Sequence, residues 1–479
     1  MREIAESLMP PAKLKAMISK TCHADSQCLC YFGIEVSDTL KEKCRMITQL
    51  KTHNKSWTYV LIATCGIGIG LAVPGFLDTV TALGHNIPQG DLATDYFTGL
   101  VWAIVLGASI LVWPIPTRDK TSLLVVWLAR SLVTLVFMLF YESNYSSLDA
   151  YSYFLVPQQS SFVWEGLRIG AGTQNIYNLA WLQGQVIPAS YHALKVSFSM
   201  VGLIAVYIFY RASVVFMQQE NKKVFYTLAL FPSVLFWSSI LGKEPIILLG
   251  ISLYVYGVVG WYRLKKLRYL WVMALGVIVV ALIRAWLVPI LLAPLAIFAL
   301  QGTQSKMSKA AFITFVFVVF LLSFNQFINM FGLETMDDMV ATTNSISRSW
   351  AFGGSAQEVP EFTSIGSMVA FVPIGAFTAL FRPLPGDVLN PFGMLAGLEN
   401  SILLIMLLLT VKRMRWSDLK EPIVLWAILL VIIWAIVYGF VSYQNLGTAV
   451  RYRLQILPVL LGLLLYLGRR HTRVIPARR

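Results

Sequence analysis

The chain has 479 residues, of which 57% are hydrophobic and only 13% are charged. Soluble domains carry about twice that share of charged residues, so the composition excludes an ordinary water-soluble protein. The net charge of +14 comes from Lys and Arg that fall mostly between apolar runs, where such residues set membrane topology, and it therefore does not indicate nucleic-acid binding.

Repeated apolar runs predict an all-α, polytopic membrane protein, because a run of about 17–22 residues can cross a bilayer as a helix. The alternating pattern of a membrane β-barrel is absent from the sequence. We predict about 12 transmembrane helices plus two re-entrant or interfacial helices, at 176–190 and 367–381. The predicted spans are 57–73, 97–113, 122–140, 191–210, 224–240, 246–261, 269–283, 285–300, 311–328, 391–411, 422–441 and 450–468.

The chain divides into a polar N-terminal tail (1–56), a transmembrane domain (57–468) and a short C-terminal tail (469–479). The positive-inside rule places both tails in the cytoplasm and predicts outer loops at 74–96, 141–190 and 329–390. The segment 367–381 decides this topology. If it crossed the membrane, the basic clusters that follow it would face outwards, so we expect it to dip in and return beside an outward-facing cavity.

Four of the five cysteines lie in the N-terminal tail, at Cys22, Cys28, Cys30 and Cys44, with His23 beside the first. Their spacing is not that of a zinc site, so we interpret them as reduced cytosolic thiols, with metal binding as the alternative. We predict no protein metal site and no required cofactor, with a divalent cation as an optional one.

The stretch from Phe231 to Gly250 is the centre of the functional prediction. An apolar run up to Ile240 is interrupted by Gly-Lys-Glu-Pro and then resumes, which predicts a tight hairpin with Lys243 and Glu244 at the membrane face. Charges so close to hydrocarbon need either partners or a watered cavity. The alternative is a solvated turn in which the two residues pair only with each other.

The predicted topology gathers acidic and basic residues on the outer face, over an apolar cavity. Arginine and lysine can neutralise a lipid phosphate, fixed cations stabilise departing phosphate, and a carboxylate can take a proton from an attacking hydroxyl. The candidate catalytic carboxylates are Asp149, Glu142 and Asp78; the candidate substrate- or phosphate-binding residues are Lys243, Glu244, Arg284, Arg348, Arg382, Arg451, Arg453 and Tyr151.

Structural roles are the alternatives for these residues. Asp149 could cap a helix that begins at Ala150, and Arg451 and Arg453 could be interfacial anchors. Glu399, inside an apolar run, is predicted to be a hydrogen-bonded carboxyl that faces other helices.

Several short motifs carry a resemblance: Asp149-x-Tyr151-x-Tyr153, FPSVLFWSSILGKEPIILLG, FRPLPGD and RYRLQILP. Together they resemble bacterial polytopic proteins of cell-surface polysaccharide loci, grouped with glycosyltransferases of the C-type superfold and with O-antigen and exopolysaccharide polymerases. The resemblance implies an active site at the extracytoplasmic face of the bacterial cytoplasmic membrane. In the C-type enzymes the base is an acidic residue of the first outer loop, which by position is Asp78, although the local sequence favours Asp149. The polymerases imply Arg348, Arg382 and Arg451 instead.

The sequence therefore predicts a membrane glycosyltransferase or polysaccharide polymerase that takes sugar from a polyprenyl-(di)phosphate carrier. The alternatives are a flippase or transporter of lipid-linked oligosaccharide and a scaffold subunit of a polysaccharide assembly complex. The expected partners are the lipid-linked sugar, membrane lipids and polysaccharide export or assembly proteins, without nucleic acid.

Overall fold

A computed structural model describes residues 75–146, 148–301, 336–358 and 360–469, with residues 314, 317, 318 and 321. The chain splits into two compact units, Met1–Asp78 and Thr79–Arg479, and all contacts below lie in the second. The cysteine-containing tail, the predicted span 57–73 and most of the predicted span 311–328 lie outside the described residues.

The described part of the chain is helical and contains no β-strand, only an isolated bridge between Ala356 and Asn445. The first half holds α1 (Leu92–Val112), α2 (Thr117–Ser143), α3 (Asp149–Leu155), α4 (Gly172–Gly184), α5 (Tyr191–Met217), α6 (Lys222–Leu230), α7 (Pro232–Trp237) and α8 (Lys243–Leu264). The second half holds α9 (Arg268–Ile283), α10 (Leu287–Phe298), α11 (Met336–Trp350), α12 (Ile365–Phe381), α13 (Pro391–Arg413), a single turn at Trp416–Leu419, α14 (Pro422–Ser442), α15 (Leu446–Arg453) and α16 (Leu457–Leu467).

The prediction of a helical membrane protein is confirmed. Six of the described helices are long and apolar enough to cross a membrane, namely α1, α2, α5, α8, α13 and α14, and the bent pair α15–α16 would make a seventh. Large apolar side chains on these helices face outwards, among them Phe97, Ile104 and Leu398, each more than half exposed. A surface of this kind suits contact with lipid.

Within the described residues, the structure contains fewer unbroken spans than the sequence predicted. The run 224–240 forms two short helices that meet at Phe231, because Pro232 begins the second one. The run 285–300 contains a 3₁₀ turn at Ala293–Leu295, α9 has only 16 residues, and the run 450–468 is bent by 67° between α15 and α16. The length of an apolar run does not by itself reveal where its helix breaks.

The predicted re-entrant segment 367–381 is one continuous helix, α12, which includes Pro373 and begins with a capping box at Ser364. It therefore does not turn back within its own length. It packs on α14, where a Cβ on Gly375 would lie 3.3 Å from the backbone of Gly439. Paired glycines allow two helix backbones to approach this closely.

The two ends of the bundle carry different polar groups. At one end, Arg263 binds Glu421 at 2.9 Å and Arg469 binds Asp418 at 3.1 Å. Many other cations lie in the terminal turns of the helices or next to them at this basic end: Arg118, Lys120, Lys222, Lys223, Lys265, Lys266, Arg268, Lys412, Arg413, Arg415 and Lys420. The opposite end of α8 begins at Lys243, about 33 Å away for a helix of 22 residues, and contains the candidate site.

Candidate functional site

Glu244 is the centre of a charged cluster built by four parts of the chain. Its side chain is buried and lies in the first turn of α8. Arg451, from α15, holds both of its oxygens: Nε donates to Oε1 at 2.6 Å and Nη2 donates to Oε2 at 3.1 Å. The Nη2 of Arg284, directly after α9, lies 3.5 Å from Oε1. The carboxylate thus fixes two guanidinium groups side by side, and a bidentate pair of this kind has a defined geometry.

Asp149 joins the cluster from α3. Its Oδ2 lies 3.6 Å from Nη2 of Arg451, and its side chain is 65% exposed. The predicted alternative, that it caps a helix beginning at Ala150, is wrong: the helix begins at Asp149 itself and has no side-chain cap at its N-terminus. Its exposed side chain can therefore accept a further hydrogen bond in addition to its pairing with Arg451.

Lys243 and Arg284 provide the other positive charges. Lys243 Nζ donates to Thr173 Oγ1 in α4 at 2.7 Å and lies within electrostatic reach of Asp149, Glu244 and Arg284. The side chain of Arg284 is buried, and its Nη1 has no hydrogen-bond partner among the described residues. The ring of Tyr452 covers this guanidinium at 4.2 Å. The alternative of a solvated Lys243–Glu244 turn is therefore wrong, because both residues have partners from other helices.

Tyrosines form the walls of the cluster. Tyr153 of α3 and Tyr177 of α4 pack with ring centroids 5.8 Å apart. Burial raises the pKa of both phenols, and the nearby charge of Asp149 raises each pKa further. Both hydroxyls stay protonated at neutral pH and can donate hydrogen bonds to an anionic or hydroxylated ligand.

The turn before α8 is held inside the bundle and not at its face, which corrects the predicted surface hairpin. Arg130, near the middle of α2, is buried and donates through Nη2 to the backbone oxygen of Ser238 and, at 2.9 Å, to its hydroxyl. Thr134 Oγ1, one turn later in α2, donates to the oxygen of Ser239 at 3.1 Å. Non-helical backbone at this depth requires such partners.

Gly242 leaves room for the carboxylate of Glu244 within this turn. A Cβ on this residue would lie 2.8 Å from Oε2 of Glu244, which is too close for real contacts. The glycine therefore allows the carboxylate to reach the two arginines.

Arg382 belongs to a second group at the same end. Its Nε donates to Asp387 Oδ2 at 2.8 Å, and its Nη2 donates to Gln357 at 3.1 Å. The hydrogen bond with Asp387 raises the pKa of Arg382 and lowers the pKa of Asp387. Arg453 connects this group to the cluster, because it is buried two residues after Arg451 and its Nη2 donates to the backbone oxygen of Arg382.

Arg453 itself has a structural role. Its Nε donates to the backbone oxygen of Ala379 at 2.8 Å, and its Nη1 donates to Asn400. All three nitrogens thus have protein partners, so the side chain ties α12, α13 and α15 together. The predicted interfacial anchor is wrong for Arg453, because its guanidinium is buried in protein.

Other predicted site residues lie apart from the cluster. Glu142 is fully buried and is held by Lys195 at 2.9 Å and by the hydroxyl of Tyr191 at 2.7 Å. The hydroxyl of Tyr151 donates to the backbone oxygen of Glu142 at 3.4 Å. Arg348 is exposed and pairs with Glu361.

Asp78 is the last residue of the N-terminal unit, so its position relative to the cluster stays undescribed. Glu399 is buried, and its Oε2 accepts from the backbone nitrogen of Ser233 at 2.7 Å. The prediction that Glu399 is a hydrogen-bonded carboxyl between helices is confirmed.

Sequence reasoning missed three residues that shape the site: Arg130, Thr173 and Tyr177. An arginine in the middle of an apolar span is a signal that was available, because a charge there is costly unless it is paired. Thr173, in the polar part of a predicted outer loop, and Tyr177, in the predicted interfacial helix, had no such signal, since polar residues are ordinary in both places.

Among the residues that the structure describes, no three His, Cys, Asp or Glu side chains come together as a metal-ligand set. The optional divalent cation stays a prediction, and so does the interpretation of the tail cysteines as reduced thiols. Comparisons with family models, with curated proteins and with solved structures find no match to this chain.

Proposed function

We propose that the protein is a membrane glycosyltransferase or polysaccharide polymerase that transfers sugar from a polyprenyl-(di)phosphate carrier. The observation that supports this most strongly is the cluster itself: residues predicted from widely separated stretches, Asp149, Lys243, Glu244, Arg284 and Arg451, meet at one end of the helical bundle. In this proposal the cluster faces outwards, and the complete bundle resembles that of a C-type glycosyltransferase with about 12 spans.

The charge of the cluster fits an anionic substrate. The cluster contains three cations and two carboxylates, so its net charge is +1. These residues are Lys243, Arg284 and Arg451, with Asp149 and Glu244. Glu244 uses both of its oxygens to fix the arginines, so its role is positioning. Lys243 and the unpartnered Nη1 of Arg284 can then bind a phosphate of the carrier and stabilise the charge that develops on it as it leaves.

Asp149 is the proposed base. It is the exposed carboxylate of the cluster, it lies 3.6 Å from Arg451, and it is within electrostatic reach of Lys243. In the transfer, an acceptor hydroxyl forms a bond to the anomeric carbon while the bond from that carbon to the carrier phosphate breaks. The hydroxyl proton passes to Asp149, and the carrier leaves as its (di)phosphate.

An aromatic patch beside the cluster suits the lipid part of the carrier. Tyr141 packs against Phe236 and Phe392, with ring centroids 5.5 and 5.3 Å away. Phe137, one turn earlier in α2, contacts the same two rings and is 40% exposed. Tyr141 also lies within electrostatic reach of Arg451. The charged and apolar parts of one ligand could therefore be bound side by side.

The test is transfer from undecaprenyl-diphosphate-linked sugars in membranes that contain Asp149→Asn. This substitution keeps the size of the side chain and removes its charge. We expect transfer to fall about a hundredfold or more, the range for loss of a general base. Asp91→Asn is the matched control, because Asp91 is exposed and caps α1 at the same end. Normal polymer from Asp149→Asn would contradict the proposal.

The two alternatives predict different outcomes. A flippase would move the lipid-linked sugar across reconstituted vesicles without forming a glycosidic bond. A scaffold subunit would show no activity when purified, and Asp149→Asn would leave its assembly unchanged.

A further inference from the structure

A cavity next to the charged cluster has a different chemical character from the cluster. Its volume is about 300 Å³, it is partly open, and it is lined by α3, α4, the segments that follow these two helices, and the start of α5. Its polar side chains are Gln158, Gln183, Gln185, Trp181 and Ser190, and none of its lining residues is charged. A volume of this size is at the lower end of the range for small-molecule sites.

The lining suits a neutral, hydroxylated ligand. A glutamine amide offers both donors and an acceptor, which is what a sugar hydroxyl requires. Gln158 donates to the backbone oxygen of Phe154 at 2.8 Å, so its own oxygen stays available as an acceptor. The indole of Trp181, supported by Trp164 at 5.6 Å between ring centroids, gives an apolar face for a sugar ring.

Two helices connect this cavity to the charged cluster. In α3, Asp149 and Tyr153 belong to the cluster, and Phe154 lines the cavity. In α4, Thr173 and Tyr177 belong to the cluster, and the lining begins at Ala180. The cavity therefore begins about one helical turn, or roughly 5 Å, beyond the tyrosines that flank Asp149.

The geometry points to a binding site for a neutral sugar unit of the acceptor in this cavity. Its ligand is the saccharide end that receives the transferred sugar, with its hydroxyl directed towards Asp149. This inference rests on the proposed function, because it assigns the acceptor side of the same reaction. The positive cluster would bind the carrier phosphate, and the uncharged cavity would bind the part of the substrates that has no charge.

The experiment is saturation-transfer NMR on the purified full chain in nanodiscs. The probes are glucose, galactose, mannose and N-acetylglucosamine, with inorganic phosphate as a charged comparison. We expect at least one neutral sugar to receive saturation, and its affinity to fall about tenfold or more in Trp181→Ala and in Gln183→Ala. A tenfold loss of affinity corresponds to about 1.4 kcal/mol of binding free energy, which we expect from the loss of one packing or hydrogen-bonding partner.

Matched controls lie elsewhere on the molecule. Trp271→Ala removes a tryptophan that is 78% exposed on α9, and Gln218→Ala removes a glutamine from the C-terminal end of α5. Both variants should bind the sugar as the unaltered protein does. The inference would be overturned if none of the four sugars received saturation, or if sugar binding survived in both cavity variants.

A second measurement separates this inference from the proposed function. Undecaprenyl phosphate should bind equally well to Gln183→Ala and to the unaltered protein, and more weakly to Arg284→Gln. Sugar binding that is lost in Gln183→Ala, with lipid-phosphate binding retained, supports the cavity as a separate site. Failure of lipid-phosphate binding to depend on Arg284 would count against the proposed function and leave the sugar site standing.

Discussion

At the residue scale, burial decides what an ion pair does in this protein. Glu244 and Glu361 each bind an arginine, but Glu244 is 3% exposed in its side chain and Glu361 is 68% exposed. A buried carboxylate between two guanidinium groups cannot be removed without leaving uncompensated buried charge. An exposed pair is surrounded by water, which screens the attraction.

We therefore predict that Glu244→Gln lowers the free energy of unfolding by about 3–5 kcal/mol, the range for breaking a buried pair by removing one partner. The measurement is thermal or denaturant unfolding of the purified protein in detergent. Glu361→Gln is the control and should leave stability unchanged. Equal stability of the two variants would mean that the guanidinium groups of Arg284 and Arg451 do not depend on Glu244.

At the element scale, the break in the run 224–240 is what creates the site. Pro232 ends α6 and begins α7, so the chain reaches the bundle interior in two short helices and turns there. Arg130 holds this turn from α2, and its donor contacts to Ser238 replace the helical hydrogen bonds that the turn lacks. The start of α8, and with it Lys243 and Glu244, is positioned by this contact.

We predict that Arg130→Met destabilises the protein and weakens the site. The substitution keeps an apolar side chain of similar length and leaves the buried backbone oxygen of Ser238 without its arginine donor, and an unsatisfied group of this kind costs about 1–3 kcal/mol. The measurement is the unfolding free energy together with binding of undecaprenyl phosphate, and both should fall.

Arg118→Met is the matched control for Arg130→Met, because Arg118 lies in the same helix with a side chain that is 60% exposed. This variant should keep both stability and lipid-phosphate binding. If Arg130→Met behaved like the control, the turn before α8 would be held by other contacts.

At the scale of the whole molecule, the protein has a basic end and a cluster end. The contacts of Arg263 with Glu421 and of Arg469 with Asp418 bring the loops after α8, α13 and α16 to the same end. The predicted topology puts these basic loops on one side of the membrane, and the contacts agree with that prediction. From the positive-inside rule we expect that side to face the cytoplasm.

The orientation can be tested with single cysteines in a background where the five native cysteines are replaced by serine. Ser161 is an exposed residue between α3 and α4 at the cluster end, and Ser417 is exposed at the basic end. We expect a membrane-impermeant maleimide to label Ser161→Cys in intact cells and to label Ser417→Cys only after permeabilisation. The opposite labelling pattern would place the cluster in the cytoplasm and contradict the proposed extracytoplasmic reaction.

The sequence by itself determined that this is a helical membrane protein, because the length of an apolar run and the cost of hydrating it follow directly from the order of residues along the chain. It also singled out Asp149, Lys243, Glu244, Arg284 and Arg451, because charges that adjoin apolar runs are costly wherever they lie. Neither inference required knowing which residues are in contact in the folded protein.

Only the tertiary structure decided which charges meet and which are structural. Glu142 is paired with Lys195 and Arg453 with backbone oxygens, yet in the sequence both look like Glu244 and Arg451. The burial of the turn before α8 depends on a contact with α2, more than a hundred residues away, and the uncharged cavity depends on how α3, α4 and α5 pack together. Local composition does not encode such partners, because a side chain's environment depends on how distant helices pack.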